Sequence, residues 1–170
     1  MTILAKEKTN ISVNALEKIS NTDLADLCYN AEQAIKAGGG FGWLNIPPVE
    51  SLKKYWNGIV LIKSNFLVVG RLNGNIAGAS QIAFNPPNNE AQKNISEIQS
   101  HFVAPWARGY GLAKSMIDYA VNTSKEIFIS IARFTLVQPD TERRYKAIPC
   151  YFSPSMIILV NAKESLHFGC

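Results

Sequence analysis

The chain has 170 residues, of which 47% are hydrophobic and 18% charged, with a formal net charge of +4. That length predicts a single domain, residues 1–170, around one core, and the apolar-to-charged balance excludes intrinsic disorder. Lys and Arg are dispersed along the chain, which argues against a nucleic-acid partner, and no apolar run reaches the roughly 18 residues that a bilayer span needs.

Met1 to Asn10 carries lysines but lacks the apolar centre of a signal peptide, so the expected setting is the cytoplasm, with no membrane partner. Ile11 to Ala15 alternates apolar and polar residues and predicts a first strand. Asn21 or Thr22 is placed to cap a helix whose Leu24, Leu27, Ala31, Ala34 and Ile35 form one apolar stripe. Gly38, Gly39 and Gly40 end that helix and begin a loop holding Phe41, Trp43, Pro47 and Pro48, aromatic enough either to line a pocket or to close the core. Val49 to Val60 predicts a second helix, with Leu52, Tyr55, Trp56 and Ile59 on one face. Phe66–Leu72 and Ile76–Ala83, joined through Asn73 and Gly74, form the clearest hairpin signal, because Asn-Gly supplies the positive φ angles of a type I′ turn. Pro86 to Glu90 reads as a loop, Asn94 to Val103 as a strand, and Gly111 to Lys125 as a helix carrying Leu112, Met116, Tyr119 and Ala120.

Between that strand and that helix stands a glycine-punctuated turn, Pro105 to Gly111. Glycines let backbone approach a ligand closely, and the helix start presents unpaired N–H groups with the positive end of the dipole. Such a turn suits a pyrophosphate. Arg108 strengthens the reading, since a cation at a helix start opposes the dipole unless an anion sits beside it. Cys28, Cys150 and Cys170 are odd in number and widely spaced, with His101 and His167 as the two histidines, so neither a metal site nor a disulfide framework is expected.

The run Val103-x-Pro105-x-x-Arg108-Gly109-x-Gly111-x-Ala113 resembles the acetyl-coenzyme A signature of the Gcn5-related N-acetyltransferase (GNAT) superfamily, R/Q-x-x-G-x-G/A after a strand ending in Val. The stretches Leu27 to Ile35, Gly38 to Leu44 and Pro86 to Gln92 resemble one bacterial branch of it, so the likeness covers about residues 10–128. The resemblance implies an α/β (α+β) acyl-CoA N-acyltransferase-like fold, a mixed and mostly antiparallel central sheet with flanking helices. It implies that the strand before the turn splays from its neighbour at a bulge, with acetyl-CoA as cosubstrate in the gap. Carried over, Phe102 and Val103 would offer backbone groups to the pantetheine arm, and Arg108, Gly109, Tyr110, Gly111, Leu112 and Ala113 would surround the pyrophosphate. A backbone N–H near the bulge would polarise the thioester carbonyl. Glu97, on the same strand, is the candidate general base acting through water, and ordinary outward solvation is its alternative; His101 is a weaker candidate than Glu97. The implied activity is acetyl transfer to a primary amine, of a small molecule or a peptide, with a homodimer left open.

After about Phe128 the chain departs from that pattern, so residues 129–170 form an atypical C-terminal segment. Relatives continue with a fifth strand and then a T-Q-x-A-A-I-x-L-Y/F-like helix, whereas here Gln138 to Pro149 is basic and bracketed by prolines. Shifting the reading by one base lets the codons of Asp140 to Ile148 encode Thr-Gln-x-Ala-Ala-Ile-x-Leu-Tyr, which suggests an out-of-frame relic. The gene's codons test that hypothesis. A catalytically impaired acetyl-CoA-binding module, or the product of a decayed gene, is the alternative to an active enzyme. The apolar run Met156 to Val160 is expected to form a strand against the open sheet edge or an aggregation-prone edge.

Overall fold

Strand order in the central sheet is β1-β2-β3-β4-β5, from β1 (Ile11–Leu16), β2 (Asn65–Leu72), β3 (Asn75–Phe84), β4 (Ile95–Val103) and β5 (Ile131–Phe134). The first four strands pair antiparallel, and β5 runs parallel to β4. This arrangement comes from a computed structural model, which describes residues 9–38, 43, 45–84, 88, 95–126, 131–134, 158–159 and 167–168. The mixed, mostly antiparallel sheet matches the expected fold class.

Among the described residues, three α-helices cover the sheet. α1 (Asn21–Lys36) and α2 (Val49–Leu61) pack on one face, where Leu27, Ala31, Leu52 and Trp56 meet Leu67, Val69, Ile76, Ala79 and Phe102. α3 (Leu112–Glu126) packs on the other, where Met116, Ala120 and Val121 meet Val68, Ile82, Ile98 and Leu72. Leu27 and Leu52 are fully buried, and each such side chain stabilises the fold by about 1.5–3 kcal/mol relative to exposure.

Local chemistry explains most boundaries. The β2–β3 hairpin turns at Asn73 and Gly74, with φ of 52° and 92°, as the type I′ turn requires. α1 is capped one residue earlier than expected: Ser20, in extended geometry, accepts from the Asp23 amide at 3.1 Å. Ser, Asn and Thr at 20, 21 and 22 are all competent caps, so the chain's entry geometry makes the choice. α3 lies close to the sheet because Gly70 and Gly78 face it. A Cβ on Gly70 would stand 2.8 Å from Leu112 Cδ1 and Met116 Sδ, and one on Gly78 would stand 2.6 Å from the Phe102 carbonyl oxygen.

Two expectations for the C-terminal part meet the structure at the level of backbone. A fifth strand is present at Ile131–Phe134, beyond residues 10–128 that carry the resemblance. Ile158–Leu159, inside the apolar run Met156 to Val160, pairs antiparallel with His167–Phe168 in a separate two-stranded sheet rather than on the edge of the main one. Pairing within the last segment satisfies those backbone groups locally. The segment Asp140 to Ile148, Phe41 and the loop Pro86–Pro87 lie outside the described residues.

Candidate active site

Among the described residues, β4 is paired on both sides only at its start. Its parallel register with β5 joins Ile95 to Ile131, Ser96 to Ala132, Glu97 to Arg133 and Ile98 to Phe134. Beyond Ile98 the same edge of β4 has no strand partner among the described residues, while its other edge stays on β3 through Gly78↔Val103. Gln99 to Val103 therefore have no described strand partner on that edge, and they lead directly to the glycine turn.

A bulge interrupts β4 on this stretch. Ala79 pairs with Phe102 and Gln81 with Gln99, so Ser80 alone opposes both Ser100 and His101. Ser100 has φ of 52°, a left-handed conformation that costs a non-glycine residue about 1–2 kcal/mol. Two side-chain hydrogen bonds hold the place. The Tyr55 hydroxyl from α2 pairs with the Ser100 hydroxyl on one face, and His101 Nδ1 lies 2.5 Å from Ser80 Oγ on the other. Burial pushes the Tyr55 phenol up, offset in part by Ser100, and pushes the His101 imidazole down to about 4. His101 as a residue keeps some contact with solvent, but its Nε2 has none, and desolvation of the ring nitrogens disfavours the charged form.

After Val103 the chain continues the ladder once, the Ala104 amide donating to the Ala77 carbonyl at 2.8 Å, then makes a single 3-10 turn, Pro105–Ala107. Gly109 and Gly111 follow with φ of 87° and 85°, and a Cβ on either would meet nothing within 4 Å. Dihedral angle rather than space is what these two positions require. Ser115 N to Gly111 O, at 3.1 Å, closes the first turn of α3, so the amides of Leu112, Ala113 and Lys114 precede the helical ladder. Arg108 Nε donates to the Val103 carbonyl at 3.4 Å, folding the guanidinium back over the strand end.

The structure thus brings Phe102, Val103, Arg108, Gly109, Tyr110, Gly111, Leu112 and Ala113 into one continuous rim, from the end of β4 to the helix mouth. Phe102 and Leu112 bury their side chains in the two cores, leaving their backbone to face any ligand, while Tyr110 is half-exposed. Glu97 stands apart from the rim. It lies on β4 where both edges are paired, opposite Ala83 and Arg133, and accepts from Gln99 Nε2 at 2.8 Å. Alternation from Ala79 through Gln81 and Ala83 puts Gln99 and Glu97 on the α1–α2 face, whereas His101 shares the α3 face with Ser80. Carboxylate and imidazole occupy opposite sides of the sheet.

Two features escaped sequence reasoning. Tyr55 was visible as part of an apolar helix face, yet its hydroxyl reaches Ser100, 45 positions away; the available signal was that a buried tyrosine hydroxyl needs a partner. Asn30, 3% exposed, donates from Nδ2 to the Ile76 carbonyl at 2.7 Å and the Asp26 carbonyl at 3.0 Å, and its Oδ1 accepts from Trp106 Nε1 at 2.8 Å. One amide thus ties α1 and β3 to the turn beside Arg108. Trp43 stands edge-on to Tyr55 with ring centroids 6.2 Å apart, so it adjoins the bulge from the α2 side.

Comparison with known proteins places this geometry. A family model described as the acetyltransferase (GNAT) family matches residues 33–151. The chain belongs to the GNAT acetyltransferase family. That match carries the likeness past Phe128, where the sequence resemblance ends, and takes in β5. An uncharacterized N-acetyltransferase from the hisH-hisA intergenic region of Azospirillum brasilense is 44% identical over 108 residues, 64% of this chain and 64% of its own length. The matched stretch therefore spans less than two thirds of that relative. Among solved structures, an N-acetyltransferase from Staphylococcus aureus Mu50 superposes with a TM-score of 0.63 at 16% identity, covering 81% of this chain and 78% of its own. A predicted acetyltransferase with acetyl-CoA from Clostridium acetobutylicum gives 0.59 at 21% identity, covering 86% and 92%. At these identities the GNAT likeness is one of fold. Among the described residues no helix is long and apolar enough to cross a membrane, and no group of three or more His, Cys, Asp or Glu is placed to hold a metal ion.

Proposed function

We propose that the chain binds acetyl-CoA along the edge of β4 beyond Ile98 and transfers the acetyl group to a primary amine by direct attack in a ternary complex. The observation that carries the reading is the end of the described β4–β5 pairing at Ile98, with the bulge and the glycine turn both lying beyond it on the same strand edge. Pantetheine amides can pair with Phe102 and Val103 as an added strand would, and the pyrophosphate can take the amides from Gly109 to Ala113 with Arg108 beside them. The acetyl carbonyl then reaches the bulge, where a backbone N–H outside the regular ladder stabilises the developing oxyanion.

The amine nitrogen attacks the thioester carbonyl carbon, the carbon–sulfur bond breaks, and the departing thiolate takes up a proton. Glu97 is the proposed base, removing the ammonium proton through water before attack; its place on the α1–α2 face, shared with Tyr55 and Trp43, supports an acceptor arriving from that side. The aromatic Trp43 beside that approach favours a small-molecule amine over a peptide. Calorimetric titration with acetyl-CoA, paired with a thiol-release assay over an amine panel, tests the reading. Binding with release supports the enzyme, binding without release supports the impaired binding module, and absence of binding rejects both.

A further inference from the structure

We infer that Tyr55 and His101 are positioning residues that clamp the β4 bulge from opposite faces of the sheet, Tyr55 through Ser100 and His101 through Ser80. The inference rests on the acetyl-CoA reading and names what fixes its reacting end. A bulge places two residues against one, so the amides there are held less firmly than in a regular ladder. Ser100 adds a left-handed φ that an L residue leaves readily unless something retains it. A single pin on one face would still let the strand pivot about its own axis. Hydrogen bonds on neighbouring residues and opposite faces prevent that rotation.

Both pins are anchored in packed structure. The Tyr55 ring meets Trp56 edge-on at 4.9 Å, and Trp56, fully buried, lies 5.9 Å from Phe102 two positions past Ser100. The hydroxyl that holds the bulge is thereby referenced to the same core as the strand it holds. On the opposite face, Ser80 belongs to β3, the strand whose ladder positions β4 throughout. Desolvation keeps the imidazole neutral, so at physiological pH it can form the Ser80 bond without carrying charge into the sheet. The glycine turn lies elsewhere on the rim, so the clamp governs the direction of the bulge amides and not the grip on the pyrophosphate.

The test uses Tyr55→Phe, Ser100→Ala and His101→Gln in the full chain, with acetyl-CoA labelled by carbon-13 at the thioester carbonyl. Tyr55→Phe preserves the ring contacts, and thermal unfolding identifies any variant that fails to fold. Calorimetry should give acetyl-CoA affinity within about twofold of the parent, because the pyrophosphate site is untouched, while kcat falls about tenfold. The infrared stretch of the bound labelled carbonyl should move back toward its value in water in Tyr55→Phe and in His101→Gln. Tyr55→Phe combined with Ser100→Ala should cost no more than either alone, since both delete one hydrogen bond. An unchanged carbonyl frequency in folded Tyr55→Phe and His101→Gln overturns the clamp even if the parent shows no turnover. Failure of the parent to bind acetyl-CoA overturns the functional reading instead, and the clamp's purpose with it.

Discussion

Acidification should weaken this fold through one imidazole. His101 has a folded pKa pushed down to about 4 by burial, against an ordinary value near 6.5, so the native state resists a proton that the unfolded chain accepts. Stability from this group is complete above pH 6.5 and declines as pH falls from 6.5 toward 4, because over that window only the unfolded state gains the proton. Linkage puts the loss at about 2 kcal/mol by pH 5 and about 3 kcal/mol by pH 4, upper values for a ring that keeps some contact with solvent. Urea unfolding at pH 7, 6, 5 and 4.5 measures it, with His101→Gln as the reference, because that side chain carries no titratable group. Subtracting the two profiles removes the carboxylates, which titrate alike in both proteins. Parallel profiles for parent and variant would refute the argument that the imidazole nitrogens are desolvated.

Gly111→Glu should abolish acetyl-CoA binding in calorimetry while leaving the far-ultraviolet circular dichroism unchanged, since it puts an anion and a strained φ at the helix mouth, where an added Cβ meets nothing within 4 Å. Glu97→Gln keeps an acceptor for Gln99 and should lower kcat by about 100-fold, with little change in acetyl-CoA affinity, if the carboxylate is the base; a rate within twofold of the parent returns Glu97 to a solvated strand residue. Gly78→Ala should lower stability by about 1–3 kcal/mol in urea unfolding, because the new Cβ would press 2.6 Å from a backbone carbonyl that cannot step aside. Asn30→Ala should cost about 2 kcal/mol by the same measurement, as it strips the buried Ile76 carbonyl of its side-chain donor and frees Trp106 from α1.

Legibility in the sequence followed the range of the interactions. Asn73-Gly74 and the run Arg108 to Ala113 are local: their backbone angles are set by glycine and asparagine chemistry within a few residues, and the hairpin and the turn stood out accordingly. The apolar stripes of α1 and α2 were equally plain, since burial repeats with the helical period. The bulge at Ser100 could be expected from the family resemblance, but its residues gave no local sign of it. Ser100 has a left-handed φ where the distant Tyr55 hydroxyl meets its side chain and the distant Ser80 lies across from it on β3. Asn30 was hidden for the same reason, two of its three partners, Ile76 and Trp106, being distant in the chain. The pairing of Ile158–Leu159 with His167–Phe168 shows the converse error, where a hydrophobic run said strand without saying which neighbour it would choose.

The close seat of α3 on Gly70 and Gly78 carries a consequence for substrate choice. It locks the phosphate end of the groove to the same strands that hold Ser100, and because Ser80 and Gly78 lie opposite the bulge and Val103, the bulge stands about 7 Å along the sheet from Val103 at the usual strand rise. Under the acetyl-CoA reading, the protein is then a calliper with a fixed jaw spacing. Thioesters on a full-length arm present their carbonyl at the bulge, whereas acyl donors with clipped arms fall short of it however tightly their phosphates are gripped.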